Sequence, residues 1–130
     1  MIVIDASAVL ELLLRTPTAA QVEELILSMN GNIHAPHLLD LEVAQVLRRY
    51  CAAGNMTLER AQEALMDLEN LAIIRYSHSH FMDRIWALQS SVTAYDAVYL
   101  ALAEFLSAPL LTRDTRLESV PGHNANVIRV

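Results

Sequence analysis

The apolar positions fall into two rhythms. Residues 1–4 form a short unbroken apolar run closed by Asp5, the pattern of a strand buried on both faces. From Ser7, a residue that can cap a helix, the spacing turns helical as far as Leu14. Thr16-Pro17 opens a second helix with Pro17 near its first position, and Ala19, Val22, Leu25, Ile26 and Met29 make its apolar stripe before Asn30-Gly31 ends it. Residues 33–35 read as a strand ahead of Pro36. A long helix follows over 38–53, with Leu39, Val43, Val46, Leu47 and Tyr50 inward, and Gly54-Asn55 stops it. Thr57 caps the next helix, where Leu58, Ala61, Leu65 and Leu68 recur at helical spacing. A strand is predicted over 72–76, a helix marked by Phe81, Ile85 and Leu88, and another from Thr93 through Leu106. Residues 109–112 lead into a strand, Asp114 or Thr115 starts a last helical turn, and 126–130 is a final short strand.

Strands alternating with helices predict an α/β fold: a central parallel sheet flanked by helices in three layers. The 130 residues suit one domain over 1–130, with no repeat or linker to divide it. The apolar fraction of 54% exceeds the ~45–50% usual for soluble domains, which leaves apolar surface for a partner or a second copy. Three glycines and four prolines are too few for an all-β fold rich in tight turns. The single cysteine, Cys51, excludes an intrachain disulfide framework, and a reducing cytoplasmic setting is expected. Asp5 and Glu11 interrupt the apolar N-terminus and no basic residue precedes it, so no signal peptide is expected. The apolar stretch 97–111 contains Glu104 and Pro109 and is too short to span a bilayer.

The net charge of −6 opposes nucleic-acid binding unless some of the carboxylates hold divalent cations, which would make the site itself electropositive. All nine basic residues are arginine, the side chain suited to bidentate phosphate contacts. Four acids draw attention. Asp5 and Asp114 follow short apolar runs, hence stand at the carboxyl ends of strands, where open α/β sheets build their sites. Each has a plainer reading, as the cap of the helix or turn that follows. Glu42 has Leu38, Leu39 and Val46 around it at helical spacing, and a buried carboxylate needs a cation, a hydrogen bond or a raised pKa. Its plainer readings are snorkelling to the rim or pairing with Arg49. Asp96 lies among Val92, Tyr99 and Leu100. Thr93-x-x-Asp96 also has the form of a capping box with Asp in place of Glu, and both roles can hold together. As a set, Asp5, Glu42, Asp96 and Asp114 could hold one or two Mg²⁺ or Mn²⁺, and two such ions can cleave a phosphodiester without a side-chain base.

Other clusters carry less. His34, His37, His78, His80 and His123 lack zinc-ligand spacing. There is no GxSxG, P-loop or GxGxxG. Glu63, Asp67 and Glu69 read as a solvated helix face, and Asp40 and Glu11 as solvent-exposed acids. Arg113 and Arg116 flank Asp114, where they could meet RNA phosphates or simply face solvent.

Four segments, IDASAVLELL, PHLLDLEVAQVLRR, TAYDAVYLALAE and LLTRDTRL, span nearly the whole chain. In that order they resemble a PIN domain, specifically the VapC-type toxins of type II toxin–antitoxin systems. The resemblance implies a parallel sheet with acids gathered at the strand ends. It carries metal-site roles onto Asp5, Glu42, Asp96 and Asp114, and supporting roles onto the hydroxyls of Ser7, Thr93 and Thr112. It further implies a Mg²⁺- or Mn²⁺-dependent endoribonuclease acting on structured RNA such as tRNA or rRNA. Such proteins form homodimers and are silenced by a cognate VapB-type antitoxin lying across the active-site groove. The alternatives are a housekeeping PIN nuclease without an antitoxin and a catalytically silent PIN scaffold. A phospho-acceptor signalling receiver needs an acidic pair after the first strand and a late lysine; Asp5-Ala6 and the absence of lysine count against it.

Overall fold

A computed structural model describes residues 1–130. Its five short strands are β1 (Ile2–Ile4), β2 (Ile33–Pro36), β3 (Ile73–Tyr76), β4 (Leu110–Thr112) and β5 (Val127–Arg129). They pair in parallel in the order β3-β2-β1-β4-β5. The helices are α1 (Ala6–Leu13), α2 (Ala19–Ser28), α3 (Leu38–Ala52), α4 (Leu58–Asn70), α5 (Met82–Ala87) and α6 (Ala94–Leu106). The chain first winds outward from β1 through β2 to β3, then crosses back to β4 on the far side of β1. A right-handed crossover reverses its face when it reverses direction, so α1–α4 and α5–α6 cover opposite faces. Contacts among α1, α3 and α4, and of α5 with α6, agree with this division. The order of winding switches between β1 and β4, and in open α/β sheets the crevice beyond the carboxyl ends of such a pair is where sites form.

The central strands explain themselves: Ile2, Val3 and Ile4 are wholly buried, as a strand covered on both faces requires. The core comprises 33 apolar side chains, while only Asp5, His34 and Thr112 are buried among polar residues. Two of those three lie at the β1/β4 switch.

Several local details differ from the sequence reading. Asp5, not Ser7, caps α1, because its carboxylate reaches Ala8 N–H at 3.0 Å from an extended backbone. Pro17 falls in the turn before α2, which starts at Ala19. Tyr50 is exposed: the buried stripe of α3 is Leu39, Val43 and Leu47, and the last turn runs past the core. On α4 the buried face is Ala61, Ala64 and Leu68, since the two alanines permit close packing, and Leu58 and Leu65 turn outward. A 3₁₀ turn over His78–Phe81 precedes α5, and the last helical turn is a 3₁₀ turn over Leu117–Ser119, later than Asp114. No helix is long and apolar enough to cross a membrane.

Candidate metal centre

Asp5 ends β1 and begins α1, so one carboxylate serves both junctions. Its Oδ1 accepts from Ala8 N–H at 3.0 Å and from the Ser7 hydroxyl at 2.6 Å, and its Oδ2 accepts from the Thr112 hydroxyl. Both hydroxyls accept in turn from the segment beyond β4: Ser7 Oγ from Arg113 N–H at 2.8 Å, and Thr112 Oγ1 from Asp114 N–H at 2.9 Å. A hydroxyl has one proton, so each spends it on Asp5. Ser7 and Thr112 thereby lash the end of β1 to the end of β4. Thr93 acts otherwise: it is the N-cap of α6, accepting from the backbone N–H of Asp96 at 3.2 Å.

Glu42 and Asp96 arrive from opposite layers. Glu42 lies in the second turn of α3, half-buried, and accepts a 2.6 Å hydrogen bond from Tyr99 of α6. Arg49 is therefore not its partner. Tyr99 was legible in the sequence only as an apolar neighbour of Asp96; a tyrosine in an otherwise apolar helix face, whose hydroxyl needs a partner when buried, was the available signal. Asp96 stands in the first turn of α6. Asp114, two residues past β4, is engaged by Arg116 at 2.6 Å.

All four carboxylates line one open cleft of about 880 Å³. Burial pushes the pKa values of Asp5, Glu42 and Asp96 up, and repulsion adds to it: Asp96 acts on Asp5, both of these on Glu42, and Asp114 on Asp96. Hydrogen bonds from Ser7, Thr112 and Ala8 to Asp5, and from Tyr99 to Glu42, offset only part of this. Asp114 goes the other way, because the Arg116 guanidinium holds it below the usual carboxylate range. Burial pushes the Tyr99 hydroxyl well up, so it remains a donor.

The acids share a cleft without closing on a point: no three acidic, histidine or cysteine side chains form a group that would grip an ion directly. That is the wrong geometry for a closed zinc cage. It suits Mg²⁺ or Mn²⁺ better in donor chemistry, since Mg²⁺ takes one or two carboxylates and keeps several waters. The raised pKa values of Asp5, Glu42 and Asp96 also mark an electrostatic cost that a cation would offset.

Glu11 corrects the sequence reading. It is largely buried rather than free in solvent, lines the same cleft, bonds Thr16 and pairs with Arg113 at 3.4 Å. Ser7 and Glu11 are four apart on α1, and that spacing already put them on one face. Asp40 pairs bidentately with Arg75 at 2.8 and 2.9 Å, outside the acid cleft. Arg113 also bonds Thr18 and the carbonyl of Val130. Away from the acids the cleft continues between apolar walls that include Leu10, Leu14, Leu38 and Leu41.

The PIN domain profile matches residues 2–123 of the chain. Ribonuclease VapC1 of Mycobacterium tuberculosis is 42% identical over 121 residues, which cover 92% of this chain and 90% of that protein. Ribonuclease VapC12 of the same organism is 35% identical over 127 residues, 98% of this chain and 97% of that protein. Among solved structures, VapBC2 from Rickettsia felis bound to a DNA fragment from their promoter aligns with a TM-score of 0.72 at 16% identity, covering 100% of this chain and 99% of that one. PAE2754 from Pyrobaculum aerophilum aligns at 0.70 and 19% identity, covering 97% and 81%. These two likenesses concern the fold.

Proposed function

The chain belongs to the PIN-domain family, among the VapC ribonucleases, and on that premise we propose that it is a Mg²⁺- or Mn²⁺-dependent endoribonuclease toxin. Its substrate is structured RNA, tRNA or rRNA, and a VapB-type antitoxin holds it silent. The observation that carries the reading is the single cleft lined by Asp5, Glu42, Asp96 and Asp114, three of them with raised pKa values and no full counter-charge.

In this reading the four carboxylates would hold the ion. Bound there, a divalent ion would supply Lewis acidity, which lowers the pKa of water and offsets charge on a phosphodiester. The protein's own groups do the positioning. Ser7, Thr112 and the Ala8 N–H leave Asp5 little freedom to turn. Tyr99 holds Glu42 across the gap between layers, and the Thr93 cap fixes the turn that presents Asp96. No histidine lines the cleft, so the acids carry the chemistry without an imidazole base.

The apolar groove beside the acids, walled by Leu38 and Leu41, supports an antitoxin segment lying across the site. Exposed Trp86 and Phe105, at 72% and 70%, on the adjoining helices α5 and α6, support a homodimer, which light scattering reads directly. The functional test is to map RNA ends after brief expression in cells, with and without the product of a neighbouring gene for a small DNA-binding protein. New ends at one or a few sites in tRNA or rRNA, suppressed by that partner, are expected. An unchanged pattern of ends contradicts the toxin reading. Cutting that no partner suppresses favours the housekeeping nuclease.

A further inference from the structure

Arg116 occupies the place where a cation is wanted. Asp114 Oδ1 accepts from the backbone N–H of Arg116 at 2.9 Å and from its Nε at 3.1 Å, and Oδ2 accepts from Nη2 at 2.6 Å. The same Nη2 lies 4.0 Å from Asp96 Oδ2. One guanidinium thus faces two of the four acids from the edge of their cleft, while Arg113, which lines that cleft, is committed to Glu11.

Three features make this contact exchangeable. The Arg116 side chain is 75% exposed, and an ion pair so open to solvent is weakly held. The backbone N–H bond to Oδ1 does not depend on the side chain, so Asp114 stays aimed when the guanidinium leaves and Oδ2 comes free. Finally, Arg116 lines a neighbouring open cleft of about 510 Å³ with Gln89, Ser90, Ser91 and Thr93, and Asp96 is a wall common to this cleft and to that of the four acids. A released guanidinium has somewhere to go, beside the acids, with a planar fork that suits a phosphate.

We propose that Arg116 is a built-in counter-ion that competes with the divalent ion for Asp114 and Asp96 and, once displaced, turns to a phosphate of the bound RNA. The inference rests on the metal reading of the four acids. It makes ion and RNA mutually helpful: a phosphate that draws Arg116 away frees the carboxylates, and an ion that claims the carboxylates frees Arg116. Linkage requires the two effects to be equal.

The test uses the full chain with Arg116→Gln and Arg116→Lys, and Mn²⁺ alone without RNA, followed by calorimetry or by the paramagnetic resonance of free Mn²⁺. Arg116→Gln should bind Mn²⁺ on the order of tenfold more tightly than wild type, a coupling of ordinary size. Arg116→Lys, which keeps the charge and loses the fork, should fall between them. At saturating Mn²⁺, RNA cleavage by Arg116→Gln should drop. Mn²⁺ binding that is unchanged or weaker in Arg116→Gln overturns the inference alone, since Arg116 then merely orients Asp114. Absence of Mn²⁺ binding in wild type and both variants overturns the metal reading, and the inference with it.

Discussion

Asp96 concentrates the conflict within the site. It sits in the first turn of α6, where the helix dipole favours an anion, yet burial and the charge of Asp114 raise its pKa. The capping duty belongs to Thr93, which accepts from the Asp96 backbone N–H, a bond that neither Asn nor Ala at 96 removes. Asp96→Asn therefore deletes a repelling charge while keeping shape and cap. In EDTA it should melt no lower than wild type, and it should gain less from added Mg²⁺, because ligand binding stabilises only as far as affinity allows. Were Asp96 itself a structural cap, Asp96→Ala would lose roughly 0.5–2 kcal/mol with or without metal. Thermal melting of the three proteins in EDTA and in Mg²⁺ separates the two accounts, and a marked drop for Asp96→Asn in EDTA rejects the present one. The four acids could be singled out in the sequence because strand ends and apolar helix faces are local patterns. Tyr99 on Glu42 and Arg116 on Asp114 were not, since both pairings depend on where side chains meet in space.

At the scale of elements, the junction of β1 with β4 is what makes a site of separate residues. The strands are three residues each, so main-chain bonds alone hold them weakly in register at their ends. Thr112 adds a tie: wholly buried, it donates to Asp5 and accepts from Asp114 N–H. Thr112→Val keeps the volume and removes both bonds, leaving a buried carboxylate oxygen without its donor. We expect a loss of about 1–3 kcal/mol in chemical denaturation together with loss of RNA cleavage. Stability unchanged within experimental error would mean that Thr112 does not tie the strands. All five strands and the succession of helices could be read from hydrophobic periodicity, which is a property of single elements. What periodicity missed was rotation and termination: α4 buries the expected Ala61 and Leu68 but turns Ala64 rather than Leu58 and Leu65 inward beside them, and a carboxylate shared between strand and helix displaces Ser7 from the cap. Sheet order was also beyond the pattern. The return of β4 to the side of β1, which brings residues 107 positions apart in the chain into hydrogen-bond contact, appears only in the folded molecule.

For the whole molecule, an acidic chain with net charge −6 has to act on a polyanion. The arginines answer this only in part: Arg60, Arg75, Arg84, Arg113 and Arg116 are each paired with an acid, and of the remaining four only Arg49 lines the cleft. In the cleft at the β1/β4 switch, Asp5, Glu42 and Asp96 have their pKa values raised by burial and by neighbouring acids. A divalent ion there would convert the repulsive spot into an attractive one, so on this proposal binding and catalysis should depend on the same ion. The most direct test is RNA cleavage by the purified chain in EDTA and after Mg²⁺ or Mn²⁺ is added back, with an Asp96→Asn preparation alongside to exclude a contaminating nuclease. The account predicts no cleavage in EDTA, recovery with either ion, products ending in 5′-phosphate and 3′-hydroxyl, and an Asp96→Asn protein slower by orders of magnitude. Cleavage that persists in the chelator, or products ending in a 2′,3′-cyclic phosphate, would contradict it.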